Sequence, residues 1–234
     1  MCLACPVPRR HFLKTSLALA ASGALTGLSP VRAAQPAPAT ISPAAALQRL
    51  QEGNARYVAG KPRVRDFSPG RAARATGQAP FAAILACADS RVAPELLFDQ
   101  GLGDLFVVRV AGNVVDPEGL ASLEYAVHYL GVPLVMVLGH SSCGAVEAAI
   151  SVDRDGSQLP GHLPALIQAI LPAVRQARQS PGDQLLERAT ADNVRLGVGQ
   201  LSASAPLLAP AVASGKLQVV GSVYDIPSGR VMAV

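Results

Sequence analysis

The chain of 234 residues is long enough for one domain and a removable leader. Half of its residues are hydrophobic and 15% are charged, which supports a sizeable core and excludes a disordered chain. The formal charge is +4, but four of the 20 basic residues and no acidic one fall in the first 33 positions. The remainder carries 16 charges of each sign, which removes the electrostatic case for nucleic-acid binding.

At the N-terminus, Arg9-Arg10-His11-Phe12-Leu13-Lys14 precedes an apolar, small-residue run from Thr15 to Leu28. Val31-Arg32-Ala33 then places small residues at the −3 and −1 positions of a cleavage site. This pattern resembles a twin-arginine signal peptide over residues 1–33 and implies export to the periplasm or another extracytoplasmic space. The alternatives are an uncleaved anchor and a chance basic helix. Cys2 and Cys5 lie inside the leader and leave with it. Past the leader no apolar run approaches the ~20 residues that span a bilayer, so no stable membrane anchor remains after processing.

Residues 34–41 form a Pro/Ala linker, and residues 42–234 are read as a single domain. Ser42-Pro43 starts a helix, with Ser as cap and Pro in the first turn. Leu47, Leu50, Tyr57 and Val58 give that helix an apolar face, and Gly60 ends it. Residues 61–80 are predicted as a long loop, and Arg56, Lys61, Arg63, Arg65, Arg71 and Arg74 as a solvated basic face. Phe81 to Leu85 is an apolar run of strand type, followed by Ala86-Cys87-Ala88-Asp89-Ser90-Arg91. Pro94 to Phe98 reads as a short helix, and Leu105 to Val110 as the second strand. Asp116-Pro117-Glu118 opens a helix that Gly131 stops. Pro133 to Leu138 is a third strand, followed by Gly139-His140-Ser141-Ser142-Cys143-Gly144, and Cys143 to Ile150 opens a further helix. Residues 151–161 read as a loop. Residues 162–213 read as helices interrupted by Pro164, Pro172, Pro181, Pro206 and Pro210. Leu217 to Tyr224 is a strand, and residues 230–234 are a last extended piece.

Apolar runs bounded by Gly or Pro are strands buried on both faces of a parallel sheet. Cys87, His140 and Cys143 therefore sit just past the carboxyl ends of two strands, where open α/β sheets bind ligands. Two thiolates and one imidazole suit three positions of a tetrahedral Zn²⁺ site and leave the fourth for water, the catalytic pattern. Asp89 lies two residues past Cys87 and Arg91 two past that, so extended backbone points them to the same side. The residue types alone leave other readings open: a Cys87–Cys143 disulfide in a noncatalytic exported protein, two buried small hydrophobes, or an Asp-Ser-Arg turn with an ordinary ion pair.

Cys-x-Asp-Ser-Arg followed by His-x-x-Cys resembles the β-class carbonic anhydrases, and the resemblance runs from about Leu47 to the last strand. It implies an α/β fold with a central, mainly parallel sheet flanked by helices and a protruding N-terminal helix that lies against a partner subunit. The activity implied is reversible hydration of carbon dioxide to bicarbonate by a zinc-bound hydroxide, with one Zn²⁺ per subunit. The resemblance makes Cys87, His140 and Cys143 the zinc ligands and Asp89 and Arg91 the catalytic carboxylate–guanidinium dyad. In the closed form of some members the carboxylate, here Asp89, becomes the fourth ligand. Gln78 matches the amide that donates to substrate oxygen, Phe106 an apolar wall, and Tyr125 a tyrosine shared across a dimer interface. The partners implied are carbon dioxide and bicarbonate, in a homodimer or a dimer of dimers. A sibling hydrolase on the same fold, acting on carbon disulfide or carbonyl sulfide, is the alternative. Ala111 stands where plant-like members carry a branched residue, which predicts a wider pocket there.

Overall fold

The computed structural model describes residues 41–234. The expected leader, and all of the expected linker but Ile41, lie outside the described residues. Strands β1 (Ala82–Ala86), β2 (Leu105–Arg109), β3 (Leu134–His140), β4 (Gln218–Tyr224) and β5 (Val231–Ala233) form one sheet in the order β2-β1-β3-β4-β5. The first four strands are parallel, and β5 returns antiparallel to β4 across the turn at Ser228-Gly229.

β1 and β3 occupy the middle, and every residue of both is buried. This explains why they read as unbroken apolar runs: their two faces enter different cores. Ala82, Ile84, Ala86, Leu134, Met136 and Leu138 point to one side. Ala83, Leu85, Val135 and Val137 point to the other.

Helix α1 (Pro43–Val58) begins where Ser42 Oγ accepts the amide of Ala45 at 3.2 Å. The helix expected to protrude lies along the first face of its own sheet, with Ala46 and Leu50 fully buried there. Burying a leucine side chain contributes ~2 kcal/mol, enough to hold an amphipathic helix down. Gly53 makes the close approach possible, because a Cβ there would fall 1.7 Å from the carbonyl oxygen of Phe98. The next residue, Asn54, donates to the carbonyls of Leu97 and Gly229 and accepts the amide of Val231, tying α1 to the edge of the sheet.

The remaining helices are α2 (Arg71–Arg74), α3 (Pro94–Leu97), α4 (Pro117–His128), α5 (Gly144–Asp155), α6 (Leu163–Arg178), α7 (Leu185–Ser202) and α8 (Leu208–Ala213). Three readings need correction. Residues 61–80 are not all loop, since α2 lies within them. α5 runs through the predicted loop to Asp155 and stops where Gly156 turns left-handed at φ 69°. Pro172 and Pro210 sit inside α6 and α8 instead of breaking them. In α6 the buried stripe of Ile167, Ile170, Leu171 and Val174 outweighs the one backbone hydrogen bond that Pro172 removes.

The basic segment is only partly a solvated face. Arg56 and Arg65 both donate to the carboxylate of Asp99, which also accepts the backbone amide of Arg63 at 3.1 Å. Asp99 is 2% exposed. Burial raises its pKa, but the guanidinium hydrogen bonds from Arg65 and Arg56 outweigh that and hold the carboxyl at about 2.

Candidate metal centre

β1 and β3 are adjacent and parallel, with Ala86 opposite Leu138, so the segments that follow them leave the sheet on one edge. Cys87 follows β1, His140 ends β3, and Cys143 caps α5 after the tight turn at Ser141-Ser142, where Ser142 takes φ 55°. Their candidate ligand atoms, two sulfurs and an imidazole nitrogen, lie within 4.8 Å of one another, and all three residues are buried. Both thiols are free.

His140 has no exposed surface. Its Nδ1 lies 2.9 Å from the carbonyl of Ser141, and only the tautomer protonated at Nδ1 makes that hydrogen bond. The Nε2 lone pair is then left facing the two sulfurs, and among the described residues Nε2 has no hydrogen-bond partner. A buried acceptor without a partner costs ~1–3 kcal/mol, so its persistence calls for a ligand. Two thiols and such a nitrogen are the donor types that zinc takes, so the residues fit the metal.

The hydrogen bond from Cys143 lowers the pKa of Cys87 against the desolvation that would raise it, while the same bond, reinforced by burial, pushes Cys143 up. Burial pulls the imidazole of His140 down, but its contact with Cys87 outweighs that and raises it.

Beside the trio, the Nε and Nη2 of Arg91 donate to the two oxygens of Asp89 at 2.9 and 2.7 Å, and the amide of Arg91 donates to Oδ1 at 2.9 Å. The side-chain hydrogen bonds from Arg91, more than any other cause, hold Asp89 well below the usual carboxylate range. Arg91 also reaches the carbonyl of Ser142 at 3.3 Å and so bridges the two strand-end segments. Asp89 Oδ2 stands 3.9 Å from His140 Nε2, with its carboxylate turned to Arg91.

Two contributors to this edge carried no motif. Arg109, the last residue of β2, donates to the carbonyls of Cys87 and Asp89 at 3.1 and 2.6 Å and braces the segment between them. The amide of Gly112 donates to Cys87 Sγ at 3.2 Å. Gly112 has φ 67°, and a Cβ there would fall 2.6 Å from Ile170 Cδ1, so no other residue fits without movement. An arginine closing an apolar strand was the available signal for the first; nothing local marked the second.

No described hydrogen bond, ion pair or ring contact joins the other expected site residues to the trio. Phe106 pairs with Ala83, three residues before the site end of its strand, which at ~3.3 Å per residue is about 10 Å away along it. Tyr125 is exposed on α4, with its ring 6.4 Å from Phe106 and 5.2 Å from Tyr129. Gln78 is exposed in the segment before β1.

A family model described as carbonic anhydrase matches residues 82–231, which takes in both strand-end motifs. The chain belongs to the β-carbonic anhydrase family. It is 44% identical over 190 residues to carbonic anhydrase 2 of Mycobacterium tuberculosis, covering 81% of this chain and 91% of that protein. It is 42% identical over 191 residues to the carbonic anhydrase of Mycolicibacterium smegmatis, covering 81% and 92%. Among solved structures, a tetrameric β-carbonic anhydrase of Sordaria macrospora superposes with TM-score 0.63 at 27% identity, over 71% of this chain and 87% of that one. The Coccomyxa β-carbonic anhydrase in complex with acetazolamide gives 0.63 at 29% identity, over 80% and 84%. A second match, to the twin-arginine translocation signal, covers residues 6–26 and marks this carbonic anhydrase for export. No helix among the described residues is long and apolar enough to cross a membrane.

Proposed function

We infer that this protein is a zinc-dependent carbonic anhydrase that interconverts carbon dioxide and bicarbonate outside the cytoplasm. The observation that carries the reading is the buried trio of Cys87, His140 and Cys143, with an unpartnered imidazole nitrogen beside a carboxylate held ionised. These three residues would hold the zinc, one per chain. When bound, zinc supplies a Lewis acid that lowers the pKa of a water ligand from ~15.7 toward ~7 and so supplies the nucleophile.

The chain's own groups do the rest. The carbonyl of Ser141 fixes the tautomer of His140, so that Nε2 is a lone pair and not a proton donor. Arg91 keeps Asp89 ionised and acceptor-only, turned so that Oδ2 can accept a hydrogen bond from the attacking oxygen and orient its lone pair toward carbon. Arg109 braces the Cys87–Asp89 segment that carries this acceptor. The substrate is linear and apolar on one side of the reaction and a small planar anion on the other, so a modest pocket with few donors suffices.

Gln78, Phe106 and Tyr125 are proposed to act across a homodimer or within a dimer of dimers. β2 is a sheet edge, and Tyr125 and Tyr129 are exposed beside it, a surface suited to a second copy. The twin-arginine match supports a periplasmic or equivalent extracytoplasmic location for the mature enzyme. Stopped-flow hydration of carbon dioxide by the zinc-loaded mature protein tests the reading. Turnover that disappears with chelation and returns with zinc is expected; no acceleration by fully zinc-loaded dimer would refute it, and hydrolysis of carbon disulfide in its place would favour the sibling activity.

A further inference from the structure

The Gly112 segment donates one hydrogen bond to the site, and three helices hold it. Its amide donates to Cys87 Sγ at 3.2 Å. Gly112 and Asn113 are consecutive left-handed residues, at φ 67° and 46°, a backbone that persists only where the surroundings determine it. Ala145 of α5 and Ile170 of α6 crowd the position from one side, at 3.2 and 2.6 Å from where a Cβ would stand. From α7, Asn193 Nδ2 donates to the carbonyl of Gly112 at 2.8 Å, across 81 residues of sequence. Only the NH₂ end of the amide can serve a carbonyl, so the orientation of Asn193 is set by this bond.

Asn193 is 4% exposed and lies in a buried stripe with Ala189, Val194, Gly197 and Leu201. A polar side chain in such a stripe is unfavourable unless its hydrogen bond is made. We propose that Asn193 is a positioning residue for the metal centre, fixing the Gly112 segment so that its N–H stays on the sulfur of Cys87. The inference rests on the reading of Cys87 as a zinc ligand. An N–H donor on a thiolate withdraws electron density from the sulfur and orients its remaining lone pairs. The ligand then gives less charge to the metal and points in one direction, the kind of outer support that tunes metal sites.

The test uses the mature protein and compares Asn193→Ala with Thr190→Val. Thr190 is buried one turn earlier on α7, and its hydroxyl has no partner among the described residues. Zinc affinity is read by competition with a chelator, and the ligand field by the thiolate-to-metal absorption band of the cobalt-substituted protein. Asn193→Ala is expected to weaken zinc binding by about 10–100-fold and to shift the band, with kcat falling more than KM rises. Thr190→Val should leave affinity and band unchanged. Wild-type affinity and an unshifted band in a folded Asn193→Ala protein overturn the inference alone, and equal losses in both variants do the same. Wild-type protein that binds no zinc overturns the reading of the site and this inference with it. Should Asn193→Ala not fold, the cadmium-113-substituted wild type decides. Scalar coupling from the metal to the Gly112 amide proton, with slow exchange of the Asn193 side-chain amide, supports the inference; absence of either overturns it.

Discussion

Asp89 and Asp99 lie on either side of α3, and arginine grips both. Asp99 is buried, and the chain answers its carboxylate completely: Arg56, Arg65 and the amide of Arg63 all donate to it, while Arg65 also reaches its carbonyl. Asp89 is partly open to solvent and faces a histidine nitrogen, 3.9 Å away, that has no partner among the described residues. The first arrangement closes on itself and staples the segment after α1 to the body of the domain. The second is incomplete without something the described residues do not supply. Strength of pairing therefore does not separate structure from function here; the unanswered atom does.

The comparison is broken most forcefully at His140. His140→Ala removes the unpartnered nitrogen and is expected to abolish zinc retention and reduce carbon dioxide hydration by more than about 100-fold. Its metal-free form should melt near the metal-free wild type, because no described hydrogen bond except that to Ser141 is lost. A variant that keeps zinc and wild-type turnover would remove His140 from the site.

Arg91→Ala sharpens the same side. It frees both oxygens of Asp89 and raises the pKa of that carboxyl, since the arginine hydrogen bonds are what depress it. Turnover is expected to fall about 10–100-fold, with Asp89 swinging toward the metal. A crystal structure of the variant with Asp89 unmoved, together with normal kinetics, would contradict the coupling.

On the other side, Asp99→Asn should leave turnover unchanged and cost about 1–2 kcal/mol of stability at neutral pH. The folded carboxyl lies below its unfolded value, near 2 against 3.8. Its contribution is therefore complete above about pH 4 and is lost as pH falls through about 2. Urea melts of the metal-free proteins between pH 6 and pH 2 should show the two converging at the acid end. A constant difference would mean that the charge of Asp99 is not what matters.

The two regions were also unequally legible. At the metal centre, residue types, spacing and apolar strands all sit within short stretches, so Cys87, Asp89, Arg91, His140 and Cys143 could be placed at one sheet edge before any coordinates. The caps Ser42 and Asp116 were readable for the same reason, because a cap acts within one turn. The Asp99 cluster joins residues 43 and 34 positions apart, and nothing local announces it. Asn193 had a weak signal, a polar residue in an apolar stripe, that periodicity alone reads as a flaw in the pattern. Pro172 misled because propensity reports the lost hydrogen bond and not the burial that offsets it. Gln78, Phe106 and Tyr125 came from the resemblance and not from the residue pattern, and of the three only Phe106 and Tyr125 are ring neighbours.

Zinc-edge X-ray absorption on freshly purified mature protein tests the central claim most directly. The account predicts one zinc per chain with two sulfurs at ~2.3 Å, one imidazole nitrogen at ~2.0–2.1 Å and one further light atom. Active protein without zinc, or with Cys87 and Cys143 joined at the ~2.05 Å of a disulfide, would contradict it.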